Sequence, residues 1–484
     1  MKLKDIIKGL DILNIKGDID LNIEDIHYDS RKVSENSLFI CVKGFNLDGH
    51  KFIQDALDKG SKAFIVEDDV YIDGYTFVKV KNTRKAMAKI SSNFFANPTK
   101  HLNLIGVTGT NGKTTITYLL KDVLEYNNEK VGLIGTIKNI IGKREIISSR
   151  TTPESIELQK YFREMLENGN NYCVMEVSSH SLELNRVDNC EFKIGIFTNL
   201  TEEHLDFHKN LDEYRMAKEK LFYKTTVGNL INIDDIYGKK IYNSIKNLEV
   251  PVLTYGIEGD ADIKAENVKI YSTGVEYKLI TPKYELDVYV PISGRFTVYN
   301  SLAVIGACYL MDIPKEAILE GLKNTKGVPG RFESVNSSKG FSVIIDYAHT
   351  PDAIENILKT AREFVKGKII TVFGCGGDRD KTKRPLMGSI SQKYSDLTIV
   401  TSDNPRTEDP VKIIEDILRG IDDSKQDYEV IIDRREAINN AINRAESGDI
   451  VIIAGKGHEN YQIIGREKIH FDDKEVVIEI LGEE

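Results

Sequence analysis

The run Gly106-Val107-Thr108-Gly109-Thr110-Asn111-Gly112-Lys113-Thr114-Thr115 constrains this chain more than any other stretch. It follows an apolar run at 104–107 and opens a helical pattern at 114–126, so strand, glycine turn and helix come in that order. Gly109 and Gly112 let the backbone approach a ligand closely, and the helix N-terminus points N–H groups at it. Lys113 adds a point charge and Thr114 offers a hydroxyl to Mg2+, while Thr110, Asn111 and Thr115 complete the loop. Such a run binds nucleotide phosphate, although Val107 stands where a strict GxxxxGK[ST] loop has its first glycine. The chain has no Asn-Lys-x-Asp run to read guanine, so ATP is the expected nucleotide. Taken alone, the run also fits a nucleotide-binding switch protein.

At 484 residues, the chain is too long for one core, and at about 150 residues per domain three are expected. Residues 1–98 read as a small α/β domain, with strands at 38–42, 63–66 and 76–80 and helices at 51–59 and 84–95. It closes at Asn97-Pro98-Thr99, where proline turns the preceding residue away from helix. Residues 99–330 hold the phosphate loop, further parallel strands at 172–177 and 193–198, and an antiparallel meander over 252–291. In residues 331–484, strands at 342–346, 368–373, 397–401, 429–432 and 449–454 alternate with helices, the pattern of a doubly wound sheet. The fold class is α/β throughout.

Apolar residues at 41% and charged residues at 29% exclude a disordered or low-complexity chain. Sixty-five basic against 75 acidic side chains leave a net charge of −10, which argues against sequence-independent binding to nucleic acid or an anionic membrane. No stretch approaches a membrane span, and Lys4, Asp5, Lys8 and Asp11 break up the N-terminus, so no signal peptide is expected. Five widely spaced cysteines read as reduced, buried thiols of a cytoplasmic protein. A monomer acting on small molecules is expected.

At residues 109–114 the sequence resembles the Mur ligase family, ATP-dependent amide-forming enzymes of peptidoglycan precursor synthesis. The resemblance runs through the chain: Asp29-Ser30-Arg31, Asp48-Gly49-His50, Glu176-Val177-Ser178-Ser179-His180, His204-Leu205-Asp206-Phe207-His208 and Asp346-Tyr347-Ala348-His349-Thr350-Pro351-Asp352 look like its markers. Near the C-terminus, Gly374-Cys375-Gly376-Gly377-Asp378-Arg379-Asp380-Lys381, Asp403-Asn404-Pro405-Arg406 and Gly455-Lys456-Gly457-His458-Glu459 are similar to the branch that adds the third peptide residue. The resemblance implies that residues 1–98, 99–330 and 331–484 serve UDP-sugar, ATP and amino acid respectively.

It also implies Mg2+ ligation by Thr114, Glu176 and His204, with His208 orienting its neighbours. Lys218 falls on one face of a helix capped by Asn210, in a slot where Leu211, Tyr214, Leu221 and Phe222 are apolar or aromatic. A snorkelling lysine is the ordinary explanation. The resemblance implies instead that CO2 carboxylates Lys218 to a carbamate able to bind a second Mg2+, and burial would free the neutral amine this needs. For UDP-MurNAc-L-Ala-D-Glu it assigns Ser30, Thr151, Thr152, Ser178 and Arg186, with Leu184 where the family usually has Gln. For adenine and ribose it assigns Asn300, Arg331, Asp346 and His349, with Thr297 where Asn is more usual.

Arg379, Arg406 and Glu459 each follow a β run of one expected sheet and so converge on its ligand-binding edge. With Asp403, Asn404, Pro405 and Gly455 they form the expected amino-acid site. Two arginines and a carboxylate complement the distal carboxylate and ammonium of meso-diaminopimelate, whereas L-lysine offers only the ammonium. The resemblance implies a reaction that joins meso-diaminopimelate to the D-Glu γ-carboxylate through an acyl phosphate, with ATP, Mg2+ and no enzyme nucleophile. Addition of L-lysine or another diamino acid and a folylpolyglutamate synthetase-like ligation stay open as alternatives.

Overall fold

Apolar β-branched runs separated by amphipathic helices dictate parallel strands buried on both faces, and the computed structural model has that layout. It describes residues 1–44, 47–203 and 207–482. The chain forms two compact units, Met1–Lys264 with Leu302–Gly321, and Ala265–Ser301 with Leu322–Glu484.

The first unit opens with a five-stranded sheet in the order Ile12–Lys16, Thr76–Val80, Ala63–Val66, Ser37–Ile40, Asp25–His27, parallel except for the first pair. The helix expected at 51–59 is a 3-10 turn, Gly49–Phe52, followed by the α-helix Ile53–Asp58, because the Asp48 carboxylate caps the turn by accepting from the His50 N–H. The phosphate-loop strand Asn103–Thr108 lies inside a second sheet, between Tyr172–Glu176 and Phe192–Phe197. Outward from these run Val131–Ile134 on one side and Thr225–Asn232 and Val252–Gly256 on the other, all parallel. A hairpin that the sequence reading missed, Lys138–Ile141 with Arg144–Ile147, extends the first of these edges.

The antiparallel meander expected over 252–291 is only half right. Val252–Gly256 pairs in parallel with Thr225–Asn232, and with Ile263 and Lys264. The Asp234 carboxylate accepts from the Ile257, Glu258 and Gly259 N–H groups, which holds the loop at 257–262 between two strands that pair in parallel. Antiparallel pairing joins Gly274–Ile280 to Glu285–Val290 in the second unit.

The second unit's main sheet has the order Glu333–Asn336, Ser342–Asp346, Ile450–Ala454, Ile369–Phe373, Leu397–Val400, Tyr428–Val430, parallel except for the first pair. Asp346, Phe373, Val400 and Ala454 end their strands on one edge, which places the motifs that follow them side by side. Behind this edge the Arg434–Asp473 pair is fully buried at 2.8 Å. All five cysteines are buried and unbridged. Among the described residues no helix is long and apolar enough to cross a membrane.

Candidate functional site

At the end of Asn103–Thr108 the chain turns through Gly109 and Gly112 into the helix Lys113–Tyr126. Gly112 has φ 87°, and a Cβ at Gly109 would lie 1.8 Å from Thr198 Oγ1, so both positions need glycine. Lys113 Nζ donates to the Gly109 and Thr110 carbonyls at 2.9 and 2.6 Å. Asn111 N–H donates to Asn199 Oδ1, and Thr115 is buried behind the loop.

Thr114 Oγ1 donates to Glu176 Oε1 at 3.0 Å, so the hydroxyl and carboxylate expected to hold a metal are in contact. Thr136, which the sequence reading missed, donates its N–H to Glu176 Oε1 and its hydroxyl to Oε2. Thr136 follows the strand Val131–Ile134, which lies beside the strand ending in Glu176, a neighbourhood that only the strand pairing reveals. The Thr136 hydroxyl also meets that of Thr151 at 3.1 Å. Thr152 Oγ1 donates to the Glu176 carbonyl and accepts from the Ser178 N–H, and Arg186 donates to the Thr152 carbonyl. Thr151, Thr152, Ser178 and Arg186 therefore form one network with Glu176 and the phosphate loop. Ser30 is buried in a 3-10 turn, where its carbonyl accepts from Lys59. His204 lies outside the described residues. His208 is buried, hydrogen-bonds Ser179 and packs its ring on Tyr214, a positioning arrangement.

Lys218 is 1% exposed and does not snorkel. Its Nζ donates to the Gly109 carbonyl at 2.8 Å and lies 4.3 Å from the centre of the Tyr214 ring. Burial, and then the Lys113 charge, hold its pKa well below that of an ordinary lysine. A hard cation takes oxygen ligands, and Thr114 and Glu176 supply two beside the loop, so this donor set fits Mg2+.

In the second unit, the Asp346 carboxylate accepts from the Phe332 and Ala348 N–H groups at 2.7 and 2.8 Å, and the Arg331 guanidinium lies 4.8 Å from the centre of the Tyr347 ring. His349 hydrogen-bonds the Tyr347 carbonyl, and Asn300 is buried in the helix Arg295–Leu310. Tyr347 also faces His458 at 5.1 Å between rings.

Arg406 and Arg379 flank Gly376, and Arg406 donates to the Gly377 carbonyl at 2.7 Å. Asn404 Nδ2 donates to Glu459 Oε2 at 2.8 Å, fixing that carboxylate, while Lys456 lies 3.6 Å from the same oxygen. A Cβ on Gly455 would crowd the Asp403 carboxylate, so Asp403 also belongs to this cluster; Pro405 O lies against Gly377. The hairpin Tyr461–Ile464 with Glu467–His470, absent from the sequence reading, holds the Arg406 backbone. Arg406 N–H donates to Ile463 O and Arg406 O accepts from Gly465 N–H, keeping Arg406 at φ 51°.

A glycine loop between a parallel strand and a helix, with an oxygen-donor pair beside it, defines a P-loop α/β protein with a nucleotide-phosphate site. Family models for the Mur ligase family catalytic domain, the Mur ligase middle domain and the Mur ligase glutamate ligase domain match residues 22–95, 107–308 and 330–457. The chain belongs to the Mur ligase family. It is 62% identical over 482 residues, covering 100% of both chains, to the UDP-N-acetylmuramoyl-L-alanyl-D-glutamate–2,6-diaminopimelate ligase of Clostridioides difficile strain 630. It is 54% identical to the enzyme of that name from Alkaliphilus oremlandii, over 100% of this chain and 99% of the relative. A solved structure of such a ligase superimposes with TM-score 0.75 at 31% identity, covering 100% of this chain and 99% of the other. A folylpolyglutamate synthase from Mycobacterium tuberculosis shares the fold alone, at TM-score 0.61 and 14% identity over 77% of this chain and 92% of its own.

Proposed function

We propose that this chain joins meso-diaminopimelate to the D-Glu γ-carboxylate of UDP-MurNAc-L-Ala-D-Glu, cleaving ATP to ADP and phosphate in peptidoglycan precursor synthesis. The observation that carries the reading is the 62% identity, end to end, with a 2,6-diaminopimelate ligase. Residues 1–98, 99–330 and 331–484 are assigned to UDP-sugar, ATP and amino acid. Ser30, Thr151, Thr152, Ser178 and Arg186 bind the acid substrate; Asn300, Arg331, Asp346 and His349 bind adenine and ribose; Arg379, Asp403, Asn404, Pro405, Arg406, Gly455 and Glu459 bind the amino acid. The enzyme works as a cytoplasmic monomer.

A carboxylate is a poor electrophile. Its oxygen attacks the γ-phosphorus of ATP, ADP leaves, and the resulting acyl phosphate is open to the amine, which displaces phosphate and closes the amide. Lys113 stabilises the charge that builds on the transferring phosphoryl group. Thr114 and Glu176, with His204, would hold Mg2+, which supplies further neutralisation of phosphate charge when bound. A carbamate on Lys218 would add an anionic oxygen ligand for a second ion. The rest of the work is positioning, so the reaction needs no enzyme nucleophile. Phosphate release with UDP-MurNAc-L-Ala-D-Glu and meso-diaminopimelate, against L-lysine in competition, tests the reading. Efficient turnover with lysine alone would refute the amino-acid assignment.

A further inference from the structure

Glu154 occupies the N-cap of the helix Ser155–Glu167, yet its carboxylate does not cap that helix. It is 6% exposed and turned towards three guanidinium groups. Glu154 Oε1 lies 2.7 Å from Arg150 Nη1 and 3.0 Å from Arg186 Nη2, and Oε2 lies 3.6 Å from Arg84 Nη1. Glu157, on the same helix, accepts from the Tyr28 hydroxyl at 3.0 Å and, among the described residues, forms no ion pair with these arginines. Positive charge is thus in excess around a buried oxygen. Arg186 Nε and Glu154 Oε2 are buried without a hydrogen-bond partner, and a buried guanidinium with an unused N–H is set for an additional acceptor.

The cluster is continuous with the acid-substrate network. Arg186 Nη1 donates to the Thr152 carbonyl, and Thr152 reaches Glu176 and Ser178. Arg150 directly precedes Thr151 and Thr152 and is half-exposed, so its charge is open to a bound ligand. One carboxylate oxygen shared by Arg150 and Arg186 brings two cations together, a repulsive arrangement that an anionic ligand relieves.

We propose that Arg150 is a further binding residue for an anionic oxygen group of the acid substrate, set beside Arg186 by Glu154, with Arg84 holding Glu154 from the other side. This rests on the assignment of Arg186 to the UDP-MurNAc-dipeptide. Arg150 is a specificity residue that touches ligand; Glu154 and Arg84 are positioning residues that act through the arginines. The anion is a peptide carboxylate or the diphosphate, which share this chemistry.

The test is calorimetric titration of the full-length chain with UDP-MurNAc-L-Ala-D-Glu, with UDP-MurNAc and with UDP-GlcNAc, comparing wild type, Arg150→Gln, Arg84→Gln, Arg84→Lys and Arg186→Gln. ATP binding and the melting temperature serve as controls for folding. Arg150→Gln should weaken the dipeptide ligand at least about tenfold, with a shallower salt dependence and unaltered ATP binding. In steady-state assays of the same variants, Arg84→Gln should raise KM for the dipeptide substrate with little change in kcat, and Arg84→Lys should restore most of the loss. Weakening confined to the dipeptide ligand assigns a peptide carboxylate; equal weakening of both UDP-MurNAc ligands, shared by UDP-GlcNAc, which has no carboxylate, assigns the diphosphate. If Arg150→Gln binds within about twofold of wild type while Arg186→Gln is weakened, Arg150 has no such role. If Arg186→Gln also binds normally, the assignment of Arg186 fails and the proposal falls with it.

Discussion

Lys113 and Lys218 donate to the same oxygen, the Gly109 carbonyl, at 2.9 and 2.8 Å. Two ammonium groups sharing one acceptor repel each other, and Lys218 is the one removed from water. Burial first, and then the Lys113 charge, hold its pKa well below that of an ordinary lysine, which favours the neutral, nucleophilic amine.

That amine is expected to add CO2. Lys218→Ala should lose most turnover with its melting curve preserved, and formate or acetate should restore part of the activity by offering a carboxylate in the emptied space. Incubation with 13C-bicarbonate should give a carbamate carbon signal in wild type and none in the variant. Full activity in CO2-free buffer would end the argument.

Lys113 makes a separate prediction. Because its charge matters most as the phosphoryl group transfers, Lys113→Ala should lower kcat by about 100-fold or more and leave binding of the UDP-MurNAc-dipeptide within a few-fold. Steady-state kinetics beside direct ligand titration separate the two; comparable losses in both would place the ATP phosphates elsewhere.

How far the site was legible in the sequence depends on how local its causes are. The phosphate loop was readable because glycine, lysine and threonine act within a few residues of chain. Lys218 was readable because it breaks an apolar helix face. Thr136 was not, since its role comes from lying beside Glu176, a relation set by pairing between the strands Val131–Ile134 and Tyr172–Glu176. The hairpin that fixes Arg406 escaped for another reason: its second strand, Glu467–His470, is exposed throughout and carries no apolar alternation. The meander was misjudged because Asp234, well before it in sequence, organises the loop at 257–262.

His458 predicts acid sensitivity. Burial, with Arg331 and Lys456 adding to it, pushes the ring pKa from 6.5 down to about 4. The unfolded chain therefore takes up a proton below 6.5 while the folded chain stays neutral to about 4, so stability is lost as pH falls through this window. At the lower end the loss reaches about 3 kcal/mol. His458→Gln should flatten the fall in melting temperature between pH 7 and pH 4.5; parallel curves for variant and wild type would show that other groups are responsible.

The Arg434–Asp473 pair predicts an asymmetry. Asp473→Ala leaves a buried guanidinium without its carboxylate and should cost about 3 to 5 kcal/mol, whereas replacing both residues together, Arg434→Met with Asp473→Leu, should cost far less. Denaturant melts of the single and double variants decide it. Equal losses would mean that the bond from Arg434 to the Ala454 carbonyl matters more than the pair.

Arg406 is expected to carry the choice of amino acid. Its backbone is held at φ 51° by the hairpin, and its guanidinium is anchored on the Gly377 carbonyl beside Arg379, so it cannot fold away when no carboxylate arrives. A ligand with only an ammonium at its far end leaves that charge unpaired, at a cost of about 2 to 5 kcal/mol, enough for discrimination of about 30-fold or more. L-lysine should thus be rejected by an unmatched charge and not by its size. Arg406→Ala should lower kcat/KM for meso-diaminopimelate, leave ATP and UDP-MurNAc-dipeptide binding near wild type, and narrow the gap to lysine. Because Glu459 is held by Asn404, the variant should retain its attraction for the distal ammonium, and lysine should gain relative to diaminopimelate. Measuring kcat/KM for both amino acids in both proteins gives the ratio directly, and an unchanged ratio would move the specificity to Arg379.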